Sequence, residues 1–149
     1  MNLHIAPLRP EDRAGWEILA RGYKAFYETP VTQAELDTAW RRLLGDDACG
    51  DAVFGLAAHA AGRVVGITHY LFHTSTWAPR VCYLQDLFTL PEMRGRGVAR
   101  ALIGAVGDAA RAGEAARCYW LTHERNATAR RLYDQVARYQ GFIRYELSL

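Results

Sequence analysis

The stretch Tyr83-Leu84-Gln85-Asp86-Leu87-Phe88-Thr89-Leu90-Pro91-Glu92-Met93-Arg94-Gly95-Arg96-Gly97-Val98-Ala99-Arg100-Ala101-Leu102-Ile103 restricts the fold more than any other part of the chain. An apolar, aromatic-rich strand ends at Pro91, a glycine turn follows, and an Ala/Leu-rich helix begins at once. The first turn of a helix leaves backbone N–H groups unpaired and carries partial positive charge. Gly95 and Gly97 remove the Cβ atoms that would keep a ligand from those donors, while Arg94, Arg96 and Arg100 add cations. The succession is a physical recipe for holding phosphate.

The surrounding pattern predicts the remaining elements. Leu3 to Leu8 reads as a strand, Arg9-Pro10-Glu11-Asp12 as a helix entry, and Ala14, Ile18, Leu19, Gly22, Ala25 and Phe26 as the apolar face of a helix reaching about Tyr27. A capping box, Thr32-Gln33-Ala34-Glu35, starts a second helix with Leu36, Ala39, Trp40 and Leu43 inward. Ala52 to His59 and Arg63 to Phe72 form a hairpin through Ala60-Ala61-Gly62. Thr74 to Pro79 is a loop carrying Trp77, and Val81 to Leu90 is the strand before the glycine turn. A helix from Val98 to Ala112, a strand from Ala116 to Thr122, a helix from Asn126 to Val136 and a final strand at 141–147 complete the chain. The expected order is β-α-α-β-β-β-α-β-α-β, a single α/β (α+β) domain over residues 1–149 with a mixed central sheet. Open α/β sheets place ligand crevices at the carboxyl ends of such strands.

In a chain of 149 residues a net charge of +2 is too weak to argue by itself for nucleic-acid or membrane-surface binding, and neither partner is expected. Cys49, Cys82 and Cys118 lie far apart without metal-ligand spacing, so free thiols in a reducing compartment and no metal are expected. The first residues carry no basic, apolar leader pattern and no long apolar run follows, which points to a cytoplasmic protein.

Arg94-Gly95-Arg96-Gly97-Val98-Ala99 resembles the Q/R-x-x-G-x-G/A motif of the GNAT superfamily, the acyl-CoA-dependent N-acetyltransferases. The resemblance extends to Tyr119-Trp120-Leu121-Thr122, to Asn126-Ala127-Thr128-Ala129-Arg130-Arg131-Leu132-Tyr133, and to the element order. Tyr83 to Phe88 and the segment from Leu132 to Phe142 look most like small polyamine and histone acetyltransferase-type members. The resemblance implies acetyl-CoA as cosubstrate and a V-shaped opening between the strand ending at Leu90 and its parallel neighbour. Leu87, Phe88 and Thr89 are then expected to meet the pantetheine arm. Arg94, Gly95, Arg96, Gly97, Val98, Ala99 and Arg100 would hold the pyrophosphate, and Asn126 and Ala129 would touch the cofactor. Tyr133 matches the family's general-acid tyrosine. Pairing of two copies through residues 142–147 is also implied.

Aminolysis of a thioester needs an uncharged amine and a proton for the departing sulfur. An alkyl ammonium of pKa ~10.4 must lose a proton, and a tyrosine of ~10 can supply one to a thiolate of ~8.5. Tyr133 stands two helical turns after Asn126 and shares its face. Polyamine-type relatives commonly carry glutamate where this chain has Gln85, and glutamine takes no proton at neutral pH. Asp86 is the neighbouring carboxylate and a candidate base, turned to the opposite strand face if alternation is strict, with pairing to a buried Arg or capping a turn as its alternatives. Glu28, His73 and His123 are other titratable groups at expected loop or strand ends. Tyr23, Tyr27, Glu28, Trp40, His73 and Trp77 are candidates to enclose an amine acceptor by apolar and cation–π contact, or alternatively to pack as a lid. The expected function is acetyl transfer to a small, polyamine-like or lysine-type amine. A CoA-binding regulatory module is the alternative. A different nucleotide-phosphate binder is disfavoured because neither G-x-x-x-x-G-K-[ST] nor G-x-G-x-x-G is present.

Overall fold

The structure, a computed structural model, describes residues 1–47 and 50–149. Five strands lie in the order β1 (Leu3–Pro7), β2 (Val53–Ala60), β3 (Arg63–His73), β4 (Val81–Thr89) and β5 (Cys118–Tyr119). The first four are antiparallel and β5 is parallel to β4. The hairpin between β2 and β3 closes through Ala61 and Gly62, both with positive φ, the conformation that matches strand twist in a two-residue turn.

Helices α1 (Arg13–Phe26) and α2 (Gln33–Leu43) precede β2, α3 (Val98–Ala112) joins β4 to β5, and α4 (Ala127–Val136) follows β5. The capping box at Thr32 is formed, with its hydroxyl accepting from the Glu35 amide and the Glu35 carboxylate accepting from the Thr32 amide. Val98, Leu102 and Val106 of α3 are fully buried, as are Trp16 and Leu19 of α1. Gly22 lets α1 lie directly on β4, because a Cβ there would stand 2.7 Å from the Phe88 ring.

The buried face of α1 is rotated from the expected one. Trp16, Leu19 and Ala20 point inward, whereas Ile18 is 64% and Phe26 51% exposed. Trp16 sets this phase, packing its ring 5.0 Å from that of Trp40 and finding a polar partner for its N–H in the sheet.

Two strand expectations are corrected. β5 is two residues long rather than seven, because the parallel ladder ends after Cys82 pairs with Cys118 and Tyr83 with Tyr119. The final strand at 141–147 does not form in the single chain, where Phe142, Ile143, Tyr145 and Leu147 are all exposed. Its alternation suits a strand, but a strand needs an edge to pair with, and this segment lies along none. Cys82 is buried and Cys118 partly so, both as free thiols, while Cys49 lies outside the described residues.

Candidate active site

The glycine turn forms as the sequence implies. A short 3-10 turn at Pro91–Met93 follows β4, and Gly97 then caps α3 with φ 83° and no side chain on the cap. Gly95 has φ 72°, and no atom lies within 4 Å of where a Cβ would stand on either glycine. The backbone therefore occupies the left-handed region that glycine enters without penalty, with open space above it. Arg94, Arg96 and Arg100 are exposed around the turn, and no acidic residue occupies the first turn of α3. Arg100 also donates to Gln135, tying α3 to α4.

Beyond Tyr83 and Tyr119 the strands β4 and β5 share no ladder, so Leu84 to Thr89, paired with β3 on one side, have no strand neighbour on the β5 side. Thr89 is buried, and its hydroxyl has no hydrogen-bond partner. An orphaned hydroxyl beside unpaired strand backbone suits the amide groups of a pantetheine arm, and the open glycine turn suits its pyrophosphate. These residues fit CoA.

On the other side of β4 a cavity of about 320 Å³ opens between the sheet and helices α1 and α2. Gln85 and Asp86 both line it. This corrects the alternation argument, which put them on opposite faces. The β3–β4 register pairs His69 with Asp86 and Tyr70 with Leu84, leaving Gln85 as the extra residue of a β-bulge. A bulge re-aims the side chains beside it, and here it turns two successive residues into one cavity.

Asp86 is held on several sides. His69 Nδ1 lies 2.9 Å from Asp86 Oδ2, and Trp16 Nε1 donates to His69 Nε2 at 2.9 Å. An indole N–H only donates, so His69 Nε2 must accept, and the imidazole is the neutral tautomer whose Nδ1–H donates to Asp86. Burial alone would raise the Asp86 pKa. The hydrogen bonds from His69 and Tyr23 and the charge of Lys24 outweigh that and hold it below the usual carboxylate range. Burial and the Asp86 charge push the Tyr23 hydroxyl far above its ordinary value, so it remains a donor.

A second cavity, of about 390 Å³, lies between the end of α1 and the start of α4, lined by Tyr27, Glu28, His123 and Asn126 among others. Tyr23 and Tyr27 connect the two cavities, with ring centroids 5.0 Å apart. Burial raises the Tyr27 pKa, against which the Thr122 side chain, just past β5, acts to lower it. Tyr133 packs edge-on against Trp120 at 5.5 Å, and burial followed by the neighbouring Tyr27 pushes its pKa up to about 12. Asp86, Tyr23, Tyr27 and Tyr133 are thus successive neighbours, running from β4 by way of α1 to α4.

The other expected site residues divide. Asn126 caps α4, its Oδ1 accepting from the Ala129 amide at 3.5 Å and its Nδ2 donating to Thr122. Trp40 is core, buried against Trp16 and outside both cavities. Trp77 is 93% exposed on its loop and lines neither cavity. His73 is bonded to Tyr119 at 2.9 Å. Sequence reasoning missed Trp16, His69 and Lys24. The available signal was His69 itself, a polar residue within a strand of buried neighbours. Among the described residues no group of three or more His, Cys, Asp or Glu is placed to hold a metal, and no helix is long and apolar enough to cross a membrane.

A mixed five-stranded sheet with one short parallel pair, joined by a helix that opens on a glycine turn, is a single α/β domain of the GNAT-like architecture. The acetyltransferase (GNAT) family profile matches residues 16–142, and the chain belongs to that family of N-acetyltransferases. The D-amino-acid N-acetyltransferase of Saccharomyces cerevisiae is 29% identical over 136 residues, spanning 89% of this chain and 83% of that protein. The thialysine N-epsilon-acetyltransferase of Caenorhabditis elegans is 31% identical over 85 residues, 57% of this chain and 53% of that one. Among solved structures, AAC(6')-Iy in complex with the bisubstrate analog CoA-S-monomethyl-acetylneamine has the same fold. Its TM-score is 0.82 at 18% identity, over 100% of this chain and 99% of that chain.

Proposed function

We propose that the chain moves the acetyl group of acetyl-CoA to the primary amine of a small molecule or lysine-type acceptor by direct attack. The observation that carries this reading is the run of neighbours from Asp86 in its cavity through Tyr23 and Tyr27 to Tyr133, which packs on Trp120 just past the end of the short β4–β5 ladder. Relatives named for acetylating D-amino acids and thialysine support a small amine as acceptor.

In this reading Arg94 to Arg100 hold the pyrophosphate, and the β4 backbone at Leu87 to Thr89 orients the pantetheine arm. Asp86 stays ionised and draws the ammonium into the cavity. Its depressed pKa makes it an anchor rather than a proton store. Gln85 is solvent-exposed at the bulge, and its side-chain carbonyl accepts from the amine, whose proton leaves to water there. The neutral amine forms the new C–N bond as the C–S bond breaks, and the nitrogen sheds its second proton to the water at Gln85, leaving the neutral amide. Tyr133 gives its proton to the departing thiolate and is reprotonated from solvent. Isothermal titration tests the cosubstrate: binding of acetyl-CoA at micromolar concentration is expected, and no heat at high micromolar concentration overturns it.

A CoA-binding module without turnover is the second reading, favoured by Gln85 standing where relatives of the polyamine type use an acid. It binds acetyl-CoA but releases no thiol with any amine. We further propose that a second copy covers the apolar segment 139–149, whose Phe142 and Leu147 are more than 80% exposed in the single chain. Sedimentation at micromolar concentration should give a dimer, and a chain ending at residue 138 a monomer. A monomer in both cases contradicts it.

A further inference from the structure

The charges lining the Asp86 cavity are unequal. Asp86 is its one carboxylate, while Lys24 and Arg42 both line it. Arg42 has a distant partner in Asp47, 3.7 Å away. Lys24, one residue past Tyr23 and half-buried, favours by its charge the carboxylates of both Asp86 and Glu35, of which only Asp86 lines the cavity, and no carboxylate of the described residues stands within ion-pair distance of it. An amine carrying no anion would satisfy Asp86 and leave Lys24 facing a second cation in a partly enclosed site. A polycation would be repelled outright. The remaining walls are mostly apolar, with Leu36, Ala39, Leu43, Val53, Ile67 and Phe88 turned inward.

We infer that the acceptor is an α-amino acid with an apolar side chain, its amine directed to Asp86 and its carboxylate to Lys24, with Arg42 at the rim. The inference rests on the acetyl-transfer reading and names its substrate class. Lys24 and Asp86 line the same cavity, which favours a carboxylate close to the carbon that bears the reacting amine. The apolar wall takes the side chain and excludes water from around the ion pairs, which strengthens both of them. Lys24 therefore acts as a specificity residue: it touches the acceptor's carboxylate and takes no part in the bond changes.

The test compares leucine, in both enantiomers, with isoamylamine, the same skeleton without its carboxylate. Release of CoA thiol is followed at fixed acetyl-CoA. The better leucine enantiomer should exceed isoamylamine in kcat/KM by at least about tenfold, the scale of one charge-assisted contact. Lys24→Met should cut that ratio by about tenfold or more through KM, and Lys24→Arg should keep most of it. A thermal melt of each variant separates loss of fold from loss of recognition. Turnover of isoamylamine or spermidine without preference for leucine overturns the inference while acetyl transfer stands. A ratio unmoved by Lys24→Met overturns it as well. Should no amine release thiol, titration of leucine and isoamylamine into the CoA-bound protein decides separately: binding of leucine alone supports the inference, and equal or absent binding of both ends it.

Discussion

His69 donates from Nδ1 to Asp86 because Trp16, 53 residues earlier in the chain, occupies the other ring nitrogen. One indole N–H thereby fixes the tautomer of an imidazole, and the imidazole fixes the orientation of a carboxylate in the cavity. The arrangement spans α1, β3 and β4 and forms only when the sheet and helix are packed.

Asp86→Asn should therefore weaken acceptor binding selectively. The amide can still accept from His69 and Tyr23 but no longer attracts an ammonium. Loss of a buried, charge-assisted contact of about 2–3 kcal/mol corresponds to a rise in acceptor KM of roughly 30- to 150-fold. Acetyl-CoA affinity by calorimetry should change less than twofold. Equal losses for both substrates would mean that Asp86 supports the fold rather than the acceptor.

Tyr133→Phe keeps the packing against Trp120 and removes the hydroxyl. With a pKa near 12, Tyr133 is fully protonated in any assay below pH 10 and remains available as an acid. Its loss should lower kcat by about 10²-fold, the lower range for general-acid catalysis, with acetyl-CoA affinity unchanged. Steady-state kinetics at saturating acceptor reads this directly, and an unaltered kcat removes the role.

Stability should decline at both ends of the pH scale. Asp86 and Asp12 have folded pKa values below their unfolded ones, despite burial. His69 and Tyr23 hold the first carboxylate down, and His59 and the Arg9 amide hold the second. Their contribution is present above about pH 4 and is lost as pH falls through the folded values. Tyr23 and Tyr133 are shifted upward, so their contribution is present below about pH 10 and is lost above it. Urea midpoints from pH 3 to 11 should show both flanks. The Asp12→Asn, Asp86→Asn double variant should flatten the acid one, and an unchanged acid flank would contradict the assignment.

Gly97→Ala places a Cβ on a residue held at φ 83°. The backbone strain of about 1 kcal/mol should lower Tm by roughly 2–4 °C. The added methyl also projects into the open space above the turn, so acetyl-CoA affinity should fall by tenfold or more while acceptor selectivity is kept. Undiminished affinity in the calorimeter would place the pyrophosphate elsewhere.

The glycine turn was legible in the sequence because everything that defines it lies within a few residues: a strand, Pro91, two glycines and the start of α3. The Thr32 capping box was legible for the same reason. The bulge at Gln85 was not, since it is a property of the β3–β4 register and strict alternation gives no hint of it. The phase of α1 was misjudged because Trp16 reads as one aromatic among several until its N–H is seen to need His69. The tail at 141–147 carries a strand's pattern without an edge to complete it. Local chemistry was readable, and pairings across long stretches of chain were not.

Release of CoA thiol from acetyl-CoA in the presence of a panel of primary amines, with the product identified by mass, tests acetyl transfer most directly. The account predicts amine-dependent thiol release, with one product heavier than its amine by one acetyl group, and loss of most of that rate in Tyr133→Phe. Tight binding of acetyl-CoA with no amine-dependent thiol release across the panel would contradict it.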